Sequence, residues 1–427
     1  MTETPAYLGI DFGTSGCRAE VVDAAGTVLA EASVPMPLPR REHGRSEQDP
    51  SVWWQALTEV MARVAALVPP DRVEAIAVDG TSGTLLLCDA AGRPLGPALM
   101  YDDRRCTAEA EAIGRVAPVE SAAHGSSSAL ARLLYLQARL PGARHALHQA
   151  DWIAGRLCGH FGTSDENNAL KLGYDPQARR WPEWMERAGA ELELLPRVLR
   201  PGTTLGTLHS PEIRNLGYSS KLRIVAGTTD GVAAFLATGA KEIGDAVTSL
   251  GSTLVLKVLS SSPIFVPGHG IYSHPCGGLW LAGGASNSGG AVLLRHFTVE
   301  RMIELSARMD MEPSGLDYYP LAEPGERFPH SDPQYAPRLE PRPADDAMFL
   351  KAMFEGMARI EALGYRLLAE HGAPSPRRLM TVGGGARNAA WTRIRERELG
   401  LKCTPPNSEH AAYGTALIAA GLLEQPR

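Results

Sequence analysis

Residues 7–31 read YLGIDFGTSGCRAEVVDAAGTVLAE, and residues 245–260 read DAVTSLGSTLVLKVLS. Each is an apolar strand, a tight turn rich in Gly, Ser and Thr, and a second strand. In the first copy Gly13 and Gly16 let the backbone approach a ligand closely. Thr14 and Ser15 offer hydroxyls, and successive N–H groups make a concavity suited to an anion. In the second copy Gly251, Ser252 and Thr253 take those places. Asp11 ends the first strand, and a carboxylate among phosphate binders makes sense if it serves Mg²⁺, through water. One such hairpin is often an ordinary turn. Two of them suggest two related lobes that grip the phosphates of a nucleotide from both sides. Neither the Walker A pattern nor the dinucleotide GxGxxG is present, so those nucleotide folds lose support.

Outward from the first hairpin, the turn Asp23-Ala-Ala-Gly26 leads to a strand at 28–34. The polar stretch 37–50, PLPRREHGRSEQDP, reads as a loop that ends in a helix start. Asp49 is a good N-cap and Pro50 a good first helical residue. Trp53, Trp54, Leu57, Val60, Met61, Val64 and Leu67 then fall on one helical face. Residues 73–79 and 84–88 read as buried strands, and 121–184 as mostly helical. Strands at 222–226 and 378–381 and helices at 232–240, 345–371 and 389–400 complete the outline. The lobes are expected to meet near 232–240, with no low-complexity linker. The run 283–290 is Gly-rich but lacks a strand-to-helix fingerprint.

Composition narrows the function. The chain has 427 residues and a formal net charge of -6, enough for two or three domains. It has no basic run, so a nucleic-acid surface is not expected. Its 6 cysteines are scattered without a CxxC, as expected of free thiols in a reducing compartment. No basic segment followed by a long apolar one opens the chain, and no apolar stretch approaches membrane-spanning length. The expectation is a cytoplasmic protein that works on small molecules away from membranes.

Three further places carry chemistry. Asp230 lies in GTTDG (227–231) between the two hairpins. There it suits a general base that takes a proton from an attacking hydroxyl. The plainer reading is a cap for the helix that follows. Gly383, Gly384 and Gly385, with Asn388, join a strand to a helix and leave room for adenosine. Ser82, in DGTSGT, and Asp103 and Arg105, in MYDDRR, sit at strand ends where a polyol's hydroxyls find donors and acceptors. For Asp103 and Arg105 a local salt bridge is the equal alternative.

The ordered set resembles the FGGY carbohydrate kinases of the actin/Hsp70/sugar-kinase superfamily. It comprises GIDFGTSGCR, SEQDPSVWW, YDDRR, SSSALARLLYLQARLP, GTTDG, SLGST, ASNSGGAVLLRHF, VGGGARN and EHAAYGTALIAA. The resemblance implies an α/β chain with two ribonuclease-H-like lobes and a cleft between them. The lobes are expected over residues 1–235 and 236–427, with a last helix near 411–423 that packs back on the first. ATP and Mg²⁺ are the implied cofactors. Asp11, Gly13, Thr14, Ser15 and Gly16 match the first phosphate motif, and Gly251, Ser252 and Thr253 the second. Gly383, Gly384, Gly385 and Asn388 match the adenosine motif, and Asp230 the catalytic base. Asp11, Ser82, Asp103, Arg105 and Asp230 are the expected sugar contacts.

Departures from the family pattern bear on the acceptor. Thr81-Ser82-Gly83 stands where many xylulokinases have Q-M-H-G, so Ser82 replaces a sugar-contacting His. Gly231 replaces the usual Asn, and Arg132 and Tyr135 replace the Lys and Trp of a K-x-x-W signature. With the segment TSDENNALKLGYDP (163–176), these features are most similar to the short D-ribulose kinases once grouped with xylulokinases. The expected reaction is transfer of the γ-phosphate to a ketopentose, D-ribulose ahead of D-xylulose, L-ribulose or a pentitol. An actin-like ATP switch and a non-catalytic sugar sensor are the remaining alternatives. The oligomeric state is left open between monomer and homodimer.

Overall fold

The computed structural model describes residues 4–422. They fall into two compact units. One comprises the described parts of Met1–Ala237 and His410–Arg427, the other Thr238–Glu409. The last helix, Ala411–Ala419, therefore belongs to the first unit, which is discontinuous in sequence; a continuous second lobe over 236–427 does not describe this division. Residue 423, the expected end of that helix, lies outside the described residues.

The first unit is built on a seven-stranded sheet. Ala6–Phe12 is its central strand, with Gly16–Asp23 antiparallel beside it and Val28–Pro35 antiparallel beyond. On the other side Val73–Gly80 runs parallel to Ala6–Phe12, and Arg223–Val225 runs parallel to Val73–Gly80. Ala6, Leu8, Ile10 and Phe12 are fully buried, as expected of a strand covered on both faces. One face packs against the helix Pro50–Ala65, where Asp49 accepts Ser51 N–H and Trp53, Leu57, Val60 and Met61 are fully buried. Gly9 points to the opposite face. A Cβ there would lie 2.1 Å from Ala412 O, so only glycine lets the last helix seat on the strand.

A second, five-stranded sheet holds a hairpin missed in the polar stretch. Arg40–Glu42 pairs with Arg45–Gln48 across His43 and Gly44, both at positive φ. Its side chains are mostly exposed, so no alternation marked it as strand.

The second unit repeats the pattern of the first. Asp245–Leu250 is antiparallel to Leu254–Ser260, which is antiparallel to Leu279–Ser286. Arg378–Val382 runs parallel to Asp245–Leu250, and Cys403–Thr404 parallel to it in turn. The helix Asp346–Glu370 lies in its core through Phe349, Leu350, Met353, Phe354 and Met357. Leu279–Ser286 leads into a short helix, Gly290–Leu293. All six cysteines are free thiols. No helix among the described residues is long and apolar enough to cross a membrane.

Candidate functional site

In the first unit, three strand ends bring three carboxyl groups together. Asp11 pairs in register with Asp79 on the neighbouring parallel strand. Thr228 pairs with Asp79, and Thr229 with Gly80. Asp230 follows at once, as the first residue of the helix Asp230–Ala237, and is half-buried with Oδ1 accepting the Gly231 N–H at 2.6 Å. The turn Gly13–Gly16 begins where the Asp11 strand stops. It is closed by Gly13 N–H to Gly16 O at 3.0 Å and tied to the third strand by Met36 N–H to Ser15 O at 2.8 Å. Thr14 is half-buried and Ser15 exposed.

Asp79 is the residue that sequence reasoning missed. Its carboxyl is fully buried, its Oδ2 accepts the Thr415 hydroxyl of the last helix, and its Oδ1 has no hydrogen-bond donor facing it. Burial, and next the Asp11 charge, push Asp79 well above the usual carboxylate range, although the Thr415 hydroxyl works the other way. Burial also raises Asp11 above the usual carboxylate value, although its contact with Asp79 works the other way. The signal was present: after the exposed Glu74, the strand VEAIAVDG is apolar and buried until a carboxyl at its end.

Ser82 sits at the tip of a turn fixed on three sides. Gln149 Oε1 accepts both Thr81 N–H (3.0 Å) and Thr81 Oγ1–H (2.9 Å). Thr84 Oγ1 accepts the Tyr101 N–H at 3.1 Å. Arg132, fully buried, donates to Gly83 O at 2.7 Å and to Tyr101 O at 2.7 Å. Burial lowers the Arg132 pKa to about 10. Ser82 Oγ is buried and has no hydrogen-bond partner in the protein.

Asp103 and Arg105 are arranged differently from a pair that reaches outward. Asp103 Oδ2 accepts Ser46 N–H at 2.6 Å and Arg105 Nη2–H at 2.7 Å, and Oδ1 accepts from Arg105 Nε and from its main-chain N–H. Arg105 spends Nη1 on Glu47 at 2.6 Å. The two form a brace among 46–47 and 103–105, the local-salt-bridge alternative of the sequence.

The second unit carries the other motifs. Gly251–Thr253 joins its two central strands, and the helix Gly290–Leu293 holds that turn through Gly290 N–H to Gly251 O (2.9 Å) and Ala291 N–H to Ser252 O (3.0 Å). Ser249 pairs with Val382, so the Gly383–Gly385 turn leaves the sheet beside the Gly251–Thr253 turn. Asn388 caps the helix Ala389–Leu399. Its Oδ1 accepts Trp391 N–H at 3.0 Å, and its Nδ2 donates to Ser306 Oγ at 2.8 Å. Both hairpins thus end at the same edge of topologically equivalent sheets, each next to a parallel strand that contributes a second loop.

Sequence comparison agrees with that arrangement. The profile of the FGGY family of carbohydrate kinases, N-terminal domain, matches residues 6–237, and that of the C-terminal domain residues 246–422. The chain belongs to the FGGY family of carbohydrate kinases. Such an enzyme is a phosphotransferase with an alcohol acceptor, and the family uses ATP. Among relatives, a xylulose kinase of Streptomyces coelicolor is 30% identical over 99% of this chain and 89% of its own length. A xylulose kinase of Escherichia coli is 25% identical over 91% of this chain and 84% of its own. In structure, a kinase of Brucella ovis, described as a xyloylose kinase, superposes with a TM-score of 0.89 at 24% identity, over 98% of this chain and 91% of that one. The fold is therefore the two-domain α/β fold of the sugar kinases, of the actin/Hsp70 ATPase type.

Proposed function

We propose that this FGGY kinase phosphorylates a ketopentose, D-ribulose, at its terminal 5-hydroxyl, with ATP as donor and D-ribulose 5-phosphate as product. The observation that carries the choice is Ser82. Its hydroxyl is buried and unpartnered on a turn fixed by Gln149, Thr84 and Arg132. A short side chain there leaves more room than a histidine and offers both a donor and an acceptor. A second reading, D-xylulose, is supported by the names of the relatives just given.

In this reading the turns Gly13–Gly16 and Gly251–Thr253 hold phosphate oxygens through N–H and hydroxyl groups. Gly383–Gly385 makes room for adenosine, and Asn388 sets that turn by capping the helix after it. The Asp230 carboxylate accepts the proton from the sugar hydroxyl as its oxygen attacks the γ-phosphorus. The bond from that phosphorus to the leaving oxygen of ADP breaks in line. The half-buried Asp11 and Asp230 carboxyls offer hard oxygens of the kind a divalent cation such as Mg²⁺ takes. Asp11 is the residue to hold it, through water. Such an ion supplies charge neutralisation at the phosphates. Ser82 and Asp11 orient the sugar. Asp103 and Arg105, given their mutual pairing, act by holding the segment behind the Ser82 turn.

ADP release measured over D-ribulose, D-xylulose, L-ribulose, pentitols and glycerol tests the assignment. D-ribulose is expected to have the highest kcat/KM. Asp230→Ala is expected to lose roughly 10²–10⁴-fold in kcat while ATP still binds. D-xylulose ranking above D-ribulose overturns the acceptor. Near-normal turnover in the variant overturns the base.

A further inference from the structure

The segment 163–168, TSDENN, packs behind the loop that delivers Asp230. Asp165 Oδ1 accepts the N–H groups of Asn167 (2.8 Å) and Asn168 (3.0 Å), and its Oδ2 accepts Asn168 Nδ2–H at 2.6 Å. The two amides then reach across 60 residues of sequence. Asn167 Nδ2 donates to Thr228 Oγ1 at 3.0 Å, and Asn168 Nδ2 donates to Thr228 O at 3.3 Å. Asp165, Asn167, Asn168 and Thr228 are all at most 2% exposed.

The other side of the loop is fixed by backbone. Gly227 lies so close to the Val73–Gly80 strand that a Cβ would sit 1.8 Å from Val78 O, and Thr228 and Thr229 pair in register with Asp79 and Gly80. Thr228 is thus held on one side by the sheet and on the other by two amides, two residues before Asp230. A cavity of about 10 Å³, lined in part by Asp151, Ser164, Asp165 and Gly227, is no larger than one water. The loop has little room to relax into.

We propose that Asn167 and Asn168, oriented by Asp165, are positioning residues that set the Asp230 carboxylate for proton transfer by fixing Thr228. The proposal rests on Asp230 being the base. An amide suits this place because it presents donors at any pH. Two adjacent amides grip both the side chain and the main chain of one residue, which fixes rotation of the loop as well as its distance from the sheet. A shift of about 1 Å in a reacting group costs on the order of 10²-fold in rate.

The test compares Asn168→Ala, Asn167→Ala and Thr228→Val with the parent enzyme, each rate normalised to nucleotide-binding sites titrated with ADP. The expected result is a kcat lower by about 10-fold or more, with KM for sugar and for ATP within about 2-fold. Unchanged kcat per binding site overturns the proposal, and so does a raised KM at unchanged kcat, which would make the segment part of substrate binding. If an Asn variant binds no ADP, Thr228→Val, which removes a single hydroxyl, decides. Asp230→Asn is run alongside. Its retention of near-parent kcat overturns the base reading itself, whatever the Asn variants do.

Discussion

At the scale of single residues, Asp79 matters because burial and the Asp11 charge push its fully buried carboxyl well above the usual range, where the neutral form is favoured. Thr415 gives its hydroxyl proton to Asp79 Oδ2, while Oδ1 has no donor facing it and Asp11 stands in register on the neighbouring strand. An amide has the same shape and the same division of roles, with an oxygen for Thr415 and an N–H for Asp11. Asp79→Asn is therefore expected to keep stability within about 1 kcal/mol of the parent and to retain most activity. Asp79→Leu leaves Thr415 and Asp11 without their partner and is expected to cost about 1–3 kcal/mol, with a clear drop in kcat. Thermal melts and steady-state kinetics on the pair decide it; equal losses in both variants would mean that Asp79 acts as an ionised carboxylate. Sequence alone did not single this residue out, since an Asp at a strand end before Gly-Thr-Ser-Gly looks like turn chemistry. Its partners are 68 residues before it and 336 after it in the chain, where no local pattern reaches. The Gly13–Gly16, Gly251–Thr253 and Gly383–Gly385 turns were legible because each is a contiguous run whose composition states its conformation.

Among elements, the second unit is pinned by one buried ion pair. Arg395, in the helix Ala389–Leu399, gives Nε–H and Nη2–H to Glu361 at 2.6 and 2.7 Å, and Nη1–H to Thr381 Oγ1 at 3.0 Å. Glu361 Oε1 also accepts the Thr248 hydroxyl at 2.5 Å. Both side chains are 1% exposed. Four elements meet there: two helices and the parallel strands that lead into the Gly251–Thr253 and Gly383–Gly385 turns. Arg395→Met strands Glu361 as a buried charge and is expected to cost about 3–5 kcal/mol. Adding Glu361→Leu is expected to restore most of that. The urea midpoint of the double variant against the single one is the measurement; a double variant no better than the single refutes the pairing as the cause. The helix 50–65 could be read from the sequence because its buried positions repeat at helical spacing. The hairpin 40–48 could not, because its strands carry mostly exposed polar side chains and its place comes from pairing with residues 98–99.

For the whole molecule, the two ends of the chain meet in the first unit. Gly9, in the first strand, faces Ala412 and Ala416 of the last helix. His410 Nδ1 lies 2.6 Å from Glu20 Oε1, and Tyr413 donates to Gly26 O at 3.0 Å. The helix therefore ties to the first hairpin along its length, and Thr415 extends the tie to Asp79. Resemblance supplied the idea that this helix packs back on the first lobe; nothing in its own composition, which is apolar nearly all round, says where it goes. The missing Cβ at position 9 is what makes the seat. In Gly9→Ala the new methyl would meet backbone atoms at 2.1 Å, and backbone cannot swing away as a side-chain tip does. The helix must lift, at a cost of about 1–3 kcal/mol or more, and the Thr415 contact with Asp79 must loosen with it. Hydrogen exchange should then quicken in 6–12, 73–80 and 411–419 while 378–399 keeps its protection, because that segment lies in the other unit. Kinase turnover should fall at the same time, since the strands that carry Asp11 and Asp79 are the ones the helix covers. Exchange that quickened equally in both units, or a variant as stable and active as the parent, would show that the helix is not what holds those strand ends in place.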